Sequence, residues 1–107
     1  MPKIKIAVKE NNIALVGNVK LIAGTVGATC QFYFDEEWAL LEKKVAFKVG
    51  QTVVGVYDLK GTTLKIPSTV FRTAGLPLEI GVTGYNESKT IVTPTNWCVI
   101  GIIENGA

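Results

Sequence analysis

Residues 28–49, ATCQFYFDEEWALLEKKVAFKV, decide how this chain folds. Cys30, Phe32 and Phe34 alternate with Gln31, Tyr33 and Asp35. Val45, Phe47 and Val49 alternate in the same way with Lys44, Ala46 and Lys48. Successive side chains of an extended strand point to opposite faces, so each run predicts a strand with one apolar and one polar face. The three phenylalanines supply most of the large apolar volume on which one small core can be built. Between the runs, residues 35–44 open with an Asp able to cap a helix, start acidic and end basic. Trp38, Leu41 and Val45 share one helical face. So short a segment between two strong strands predicts a turn or so of helix acting as a crossover.

The same period continues on both sides. Ile4, Ile6 and Val8 alternate with Lys3, Lys5 and Lys9, and the Asn11-Asn12 turn signal then leads into residues 13–16, so the first two segments predict a hairpin. Glycines 24 and 27 predict a bend or bulge before the strand at 28–35. After Gly50-Gln51, strands are expected over 52–58 and 62–66. Pro67 stops the second of these, and Ser68 can cap one irregular or helical turn over 69–74. Leu78, Ile80 and Val82 mark a clear strand at 78–85. Residues 89–93 extend again up to Pro94. Residues 96–104 form the last strand, with Trp97, Val99 and Ile103 on one face and Cys98, Ile100 and Ile102 on the other. Residues 104–107 read as the start of a linker.

Short strands separated by Gly, Pro and Asn every ~8–12 residues are the spacing of a sandwich or barrel. The expected fold is all-β: an antiparallel β-sandwich of about seven to nine strands in one domain, residues 1–107, with one or two short helical turns at 35–43 and 68–74.

Composition narrows the function classes. With 48% hydrophobic residues, 19% charged residues and a mean hydropathy of +0.31, the chain has ample material for a core. Its apolar content also points to some surface buried against a partner. Eleven basic and nine acidic side chains give +2, with Arg72 the one arginine, which is too weak a positive field for nucleic acid. No apolar run approaches the ~18–20 residues that cross a bilayer, so no membrane partner is expected. The N-terminus alternates lysine with aliphatic residues, unlike a secretory signal. Cys30 and Cys98 both fall inside apolar strand patterns, where a reduced buried thiol is the commoner occupant.

Catalysis lacks its usual residues. There is no histidine, which removes the commonest general base and metal ligand. Ser68 and Ser88 sit in loops without a nucleophile elbow, and no phosphate-cradling glycine pattern follows a strand. Asp35, Glu36 and Glu37 are the one place where carboxylates meet. They read as a solvated crossover balanced by Lys43 and Lys44, and only secondarily as a cation or glycosidase-like pair. No catalytic residue, cofactor or metal is expected. Trp38 and Trp97 read first as core or subunit-interface residues, and otherwise as a sugar-stacking platform. Tyr33, Tyr57 and Tyr85 fall opposite the main apolar set or at strand ends, where they supply contact area at low entropic cost. The candidate partner interface comprises Tyr33, Trp38, Tyr57, Tyr85, Ile100 and Ile102.

One ordered series of motifs spans residues 4–104. It runs Phe-Tyr-Phe-Asp at 32–35, Trp38, Lys-Val-Ala-Phe at 44–47, Leu-Lys-Ile-Pro at 64–67, Leu-x-Ile-Gly-Val-x-Gly at 78–84 and Pro-Thr-Asn at 94–96. The series resembles the immunoglobulin-like N-terminal domain of tailed-phage baseplate upper proteins and related small virion proteins. The resemblance implies an immunoglobulin-like sandwich, a structural role in a baseplate, tail or head-fibre component, and a virion location after assembly in the bacterial cytoplasm. It also implies other virion proteins as partners and a homo-oligomeric state, with no catalytic residues to transfer. Baseplate upper proteins continue past such a domain, whereas this sequence ends at Ala107, so a stand-alone decoration or fibre-anchor protein is also open. The alternative reading is a carbohydrate-binding or adhesin module that uses exposed aromatics, with a glycan as partner.

Overall fold

The computed structural model describes residues 2–90 and 92–107. Ile91, inside the extended segment expected at 89–93, lies outside the described residues. Nine strands are seen among those described: β1 (Lys3–Lys9), β2 (Asn12–Val16), β3 (Thr29–Phe34), β4 (Glu42–Val49), β5 (Thr52–Leu59), β6 (Thr63–Lys65), β7 (Pro77–Tyr85), β8 (Val92–Pro94) and β9 (Cys98–Ile102). Two short 3-10 turns, Glu36–Trp38 and Ser68–Phe71, complete the regular structure.

The strands form two sheets, one in the order β2-β1-β3-β6 and one in the order β5-β4-β7-β8. In the second, β9 also pairs with β7, taking residues 77–80 while β8 takes 83–85. The chain is therefore an all-β sandwich, as its alternation predicts. One pairing departs from the antiparallel expectation. β1 and β3 run parallel, Ile4 opposite Cys30 and Ile6 opposite Phe32. A hairpin cannot make such a pair, and the connection here runs through β2 and the glycine-bearing segment 17–28.

Alternation puts one face of each sheet inward. Ile4, Ile6, Val8, Cys30 and Phe32 from the first sheet meet Val45, Phe47, Leu78, Ile80 and Val82 from the second, all 2% exposed or less. Two further rings come from outside the strands. Trp38 and Phe71, carried by the two 3-10 turns, are 0% and 1% exposed and close the core where strand side chains do not reach. Phe34 is only partly buried, so Trp38 and Phe71 join Phe32 and Phe47 as the large buried rings.

Neither expected side-chain cap forms. Asp35 precedes the first turn in extended backbone, but its Oδ2 accepts the backbone N–H of Glu10 at 2.8 Å instead. Its Oδ1 is shielded from solvent and accepts no hydrogen bond. Ser68 is the first residue of its turn, and Pro67 occupies the capping position.

The crossover also fixes the first hairpin. Lys9 pairs with Asn12, so the turn is Glu10-Asn11, one residue earlier than the Asn-Asn signal. Glu10 takes φ +54, a conformation uncommon outside glycine, asparagine and aspartate. It is held there from both sides. Its N–H donates to Asp35, and its carbonyl accepts Trp38 Nε1–H at 2.9 Å.

Gly84 shows how tightly this corner closes. A Cβ at that position would lie 2.8 Å from both Trp38 Cζ3 and Leu41 Cδ1. Trp38 is fully buried and cannot swing away. Gly84→Ala is expected to cost about 1–3 kcal/mol by overpacking, read as a lower urea midpoint at unchanged slope. Gly61→Ala is a poor control because its φ of +74 is itself strained for alanine.

Candidate docking surface

The outer faces of the two sheets differ in chemistry. On the first sheet the outward positions are Lys3, Lys5, Ala7 and Lys9 of β1, Gln31 and Tyr33 of β3, Thr63 and Lys65 of β6, and Ala14 and Val16 of β2. Four lysines and no carboxylate lie among these strand positions. The face is polar and basic.

The outer face of the second sheet is built in cross-strand rows. One row reads Val53, Lys48, Glu79, Val99 across β5, β4, β7 and β9. The next brings together Val56, Ala46 and Gly81, and Trp97, just before β9, covers Gly81. A Cβ on Gly81 would stand 3.2 Å from Trp97 Cε3, so the ring lies directly on the glycine backbone. An aromatic covering a strand glycine restores the packing that the missing side chain forgoes. Lys48 Nζ sits 4.4 Å from the Trp97 ring centroid and 3.5 Å from Glu79 Oε2. The two charged side chains are only 20% and 18% exposed, low values for an outer face.

Around this cluster the exposed residues are apolar. Val53 is 50% exposed, Val56 56%, Val99 59% and Ile102 54%, with Trp97 at 38%. Farther along the face, Lys44 faces Asp58 at 4.0 Å, and Lys89 meets Glu42 at 3.1 Å. Exposed pairs of this kind contribute little stability, but they neutralise the charge. The face combines an aromatic and an apolar surround, as the centre of an interface does, with a shielded ion pair among them.

The expected interface residues separate. Tyr33 is 49% exposed on the basic face of the first sheet. Tyr57 points inward at the edge of β5, its ring 5.9 Å from that of Phe47. Tyr85 is outward on the second sheet, under Lys44 and Lys89 at 5.8 and 5.4 Å. Ile102 is outward on that face as well. Trp38 and Ile100 are corrections: at 0% and 6% exposure both belong to the core. Ile100 shares its face with Cys98, as alternation predicts, but that face is the inner one, because Cys98 pairs with the inward Ile80; a bulge follows. Leu78 pairs with Gly101 and Glu79 with Val99, leaving Ile100 as the extra residue, so the inward set becomes Cys98, Ile100 and Ile103. Beyond the bulge Ile102 turns outward and Ile103 inward, so Ile103 faces opposite to Trp97 and Val99, with which uninterrupted alternation had grouped it. The sequence marks Trp97 as a core or subunit-interface residue but does not join Val53, Val56, Lys48, Glu79 and Val99 to it, because strands on separate hairpins carry no sequence signal of their shared face.

Chemistry elsewhere is sparse. Among the described residues, no group of three Cys, Asp or Glu side chains is placed to hold a metal ion. Glu36 and Glu37 are exposed on the crossover. Both cysteines are free and buried; burial pushes the Cys30 thiol up to about 12 and raises that of Cys98. No helix among the described residues is long and apolar enough to cross a membrane. No protein-family model matches the chain, and no curated protein matches it.

Proposed function

We propose that this chain is a non-catalytic assembly module of a phage or prophage virion, anchoring a baseplate, tail or head-fibre component. In this reading it docks through the outer face of its five-stranded sheet onto a second copy of itself. The supporting observation is the half-covered Trp97–Lys48–Glu79 cluster inside a ring of exposed valines. A second copy fits this face because its charges are already paired, so two such faces meet without opposing like charges. The lysine-bearing face of the other sheet would repel its own copy.

The patch is small. Four strands ~4.8 Å apart and ~7 residues long present roughly 450 Å² of sheet, below the ~800 Å² per partner of a standard stable interface. A lone pair of copies is therefore expected to associate weakly, and a multi-copy particle to reinforce it by avidity. For the glycan alternative, the outward aromatics of this face are Trp97 and Tyr85, while Tyr33 and Tyr57 lie elsewhere.

Sedimentation equilibrium and co-purification test the proposal. The wild type is expected to self-associate at high micromolar concentration and to co-purify with the structural proteins encoded beside it. Val56→Lys, which places a charge in the apolar ring, should abolish self-association while keeping the melting temperature. Lys65→Glu on the opposite face should leave it unchanged. A wild type that stays monomeric to ~1 mM, or a Val56→Lys variant that associates as well as wild type, would overturn the docking reading. Failure to join any virion protein would remove the assembly role.

A further inference from the structure

Lys43 occupies a core-facing position. Along β4 the inward residues are Lys43, Val45, Phe47 and Val49, and Lys43 stands between Leu59 of β5 and Gly84 of β7. Its side chain crosses toward the other sheet, where Nζ lies 5.0 Å from the Phe34 ring centroid and donates to the Leu41 carbonyl at 2.9 Å. An ammonium has three donors, and that carbonyl uses one. Among the described residues no carboxylate lies within 4.0 Å of it. Burial lowers its pKa, with no ion pair opposing the shift.

The ammonium stands in a cleft of about 740 Å³ at this end of the sandwich, within the range of small-molecule sites. Phe34, Trp38, Leu41 and Leu59 give it an apolar lining. Four lysines, Lys43, Lys44, Lys60 and Lys89, face three carboxylates, Asp35, Glu42 and Asp58. The carboxylates are occupied or shielded: Glu42 by Lys89, Asp58 by Lys44, and Asp35 by the Glu10 N–H with its other oxygen closed off. The unspent charge is therefore positive, and it sits beside an aromatic ring.

We propose that this cleft binds a small organic carboxylate with an aromatic or apolar body, the carboxylate on Lys43 Nζ and the body over Phe34 and Leu59. The cleft borders the far end of the docking face, sharing Glu42, Lys44, Asp58 and Lys89 with it. The groups proposed to hold the ligand, Lys43, Phe34 and Leu59, face inward and do not depend on the assembly reading. A charge-assisted hydrogen bond from a half-buried ammonium separates a carboxylate from its neutral amide by about tenfold or more.

The experiment is a two-dimensional NMR titration with phenylacetate, with phenylacetamide and inorganic phosphate as comparisons. A ligand of about ten non-hydrogen atoms is expected to bind in the millimolar range. Phenylacetate should give saturable shifts at Phe34, Lys43, Leu59 and Gly61; phenylacetamide and phosphate should bind at least about tenfold more weakly. Lys43→Met, which keeps the length and the apolar stem, should lose the preference for the carboxylate. Absence of saturation by about 50 mM, equal binding of the amide, wild-type binding by Lys43→Met, or shifts confined to the outer sheet face would each overturn the site. The amide comparison stands even if Lys43→Met fails to fold.

Discussion

Trp38→Ala is expected to lower the unfolding free energy by about 3–5 kcal/mol, the range for deleting a large buried aromatic. Three separate losses converge. The indole is 0% exposed and packs 5.5 Å from the Phe34 ring, so its removal leaves a cavity between the crossover and the sheets. Its Nε1–H satisfies the Glu10 carbonyl, which then loses its partner. Glu10 itself sits at φ +54, a conformation that this bond helps to hold, so the first hairpin loosens too. For a domain of ~5–15 kcal/mol total stability the variant is marginal or unfolded at 37 °C. Trp38→Phe separates the contributions: it keeps most of the ring volume and should cost mainly the hydrogen bond, about 0.5–1.5 kcal/mol, plus partial repacking. Urea denaturation followed by circular dichroism measures both. A loss under ~1 kcal/mol for the alanine variant would place the indole outside the cooperative core.

Phe47→Ala is expected to match it, at about 3–5 kcal/mol, through packing alone. The ring is 0% exposed at the centre of β4, with Ile80 of β7 as its cross-strand partner on one side and Gly55 of β5 on the other. Gly55 leaves space that Tyr57 fills, its ring folding back so that a Cβ on Gly55 would meet it at 2.5 Å. Removing Phe47 therefore takes away the surface against which Tyr57 is held. The tyrosine should become more exposed, so the variant is expected to show both a lower urea midpoint and a changed tyrosine signal in the folded baseline. A measured cost under ~1 kcal/mol would mean that the site collapses around the gap, contrary to the close packing seen there.

How much of this was legible depended on how far each residue's neighbours lay along the chain. The alternation at 30–34, 45–49 and 78–82 identified strands and their inward residues correctly, because a two-residue period is a local property of extended backbone. Phe71 gave no such signal: it sits in a single 3-10 turn, too short for any period to register. The cleft was hidden for a similar reason. Lys43 reads as one of a charged pair on a crossover until β4 is seen to begin at Glu42, which turns the lysine inward. The Trp97 cluster needs β4, β7 and β9 side by side, and these pairings span residues 48–99.

The stretch at 28–49, read alone, determined that this chain makes strands, that Phe32 and Phe47 lie inside, and that a short crossover joins the two strands. Tertiary structure decided the rest. It paired β1 with β3 in parallel, placed Trp38 in the core, made the Cys98–Ile100 face of β9 the inner one, and reversed the facing of Ile102 and Ile103 through one bulged residue. The physical reason is that period-two alternation states which residues share a face but not which face meets water. A single extra residue reverses the answer for everything beyond it.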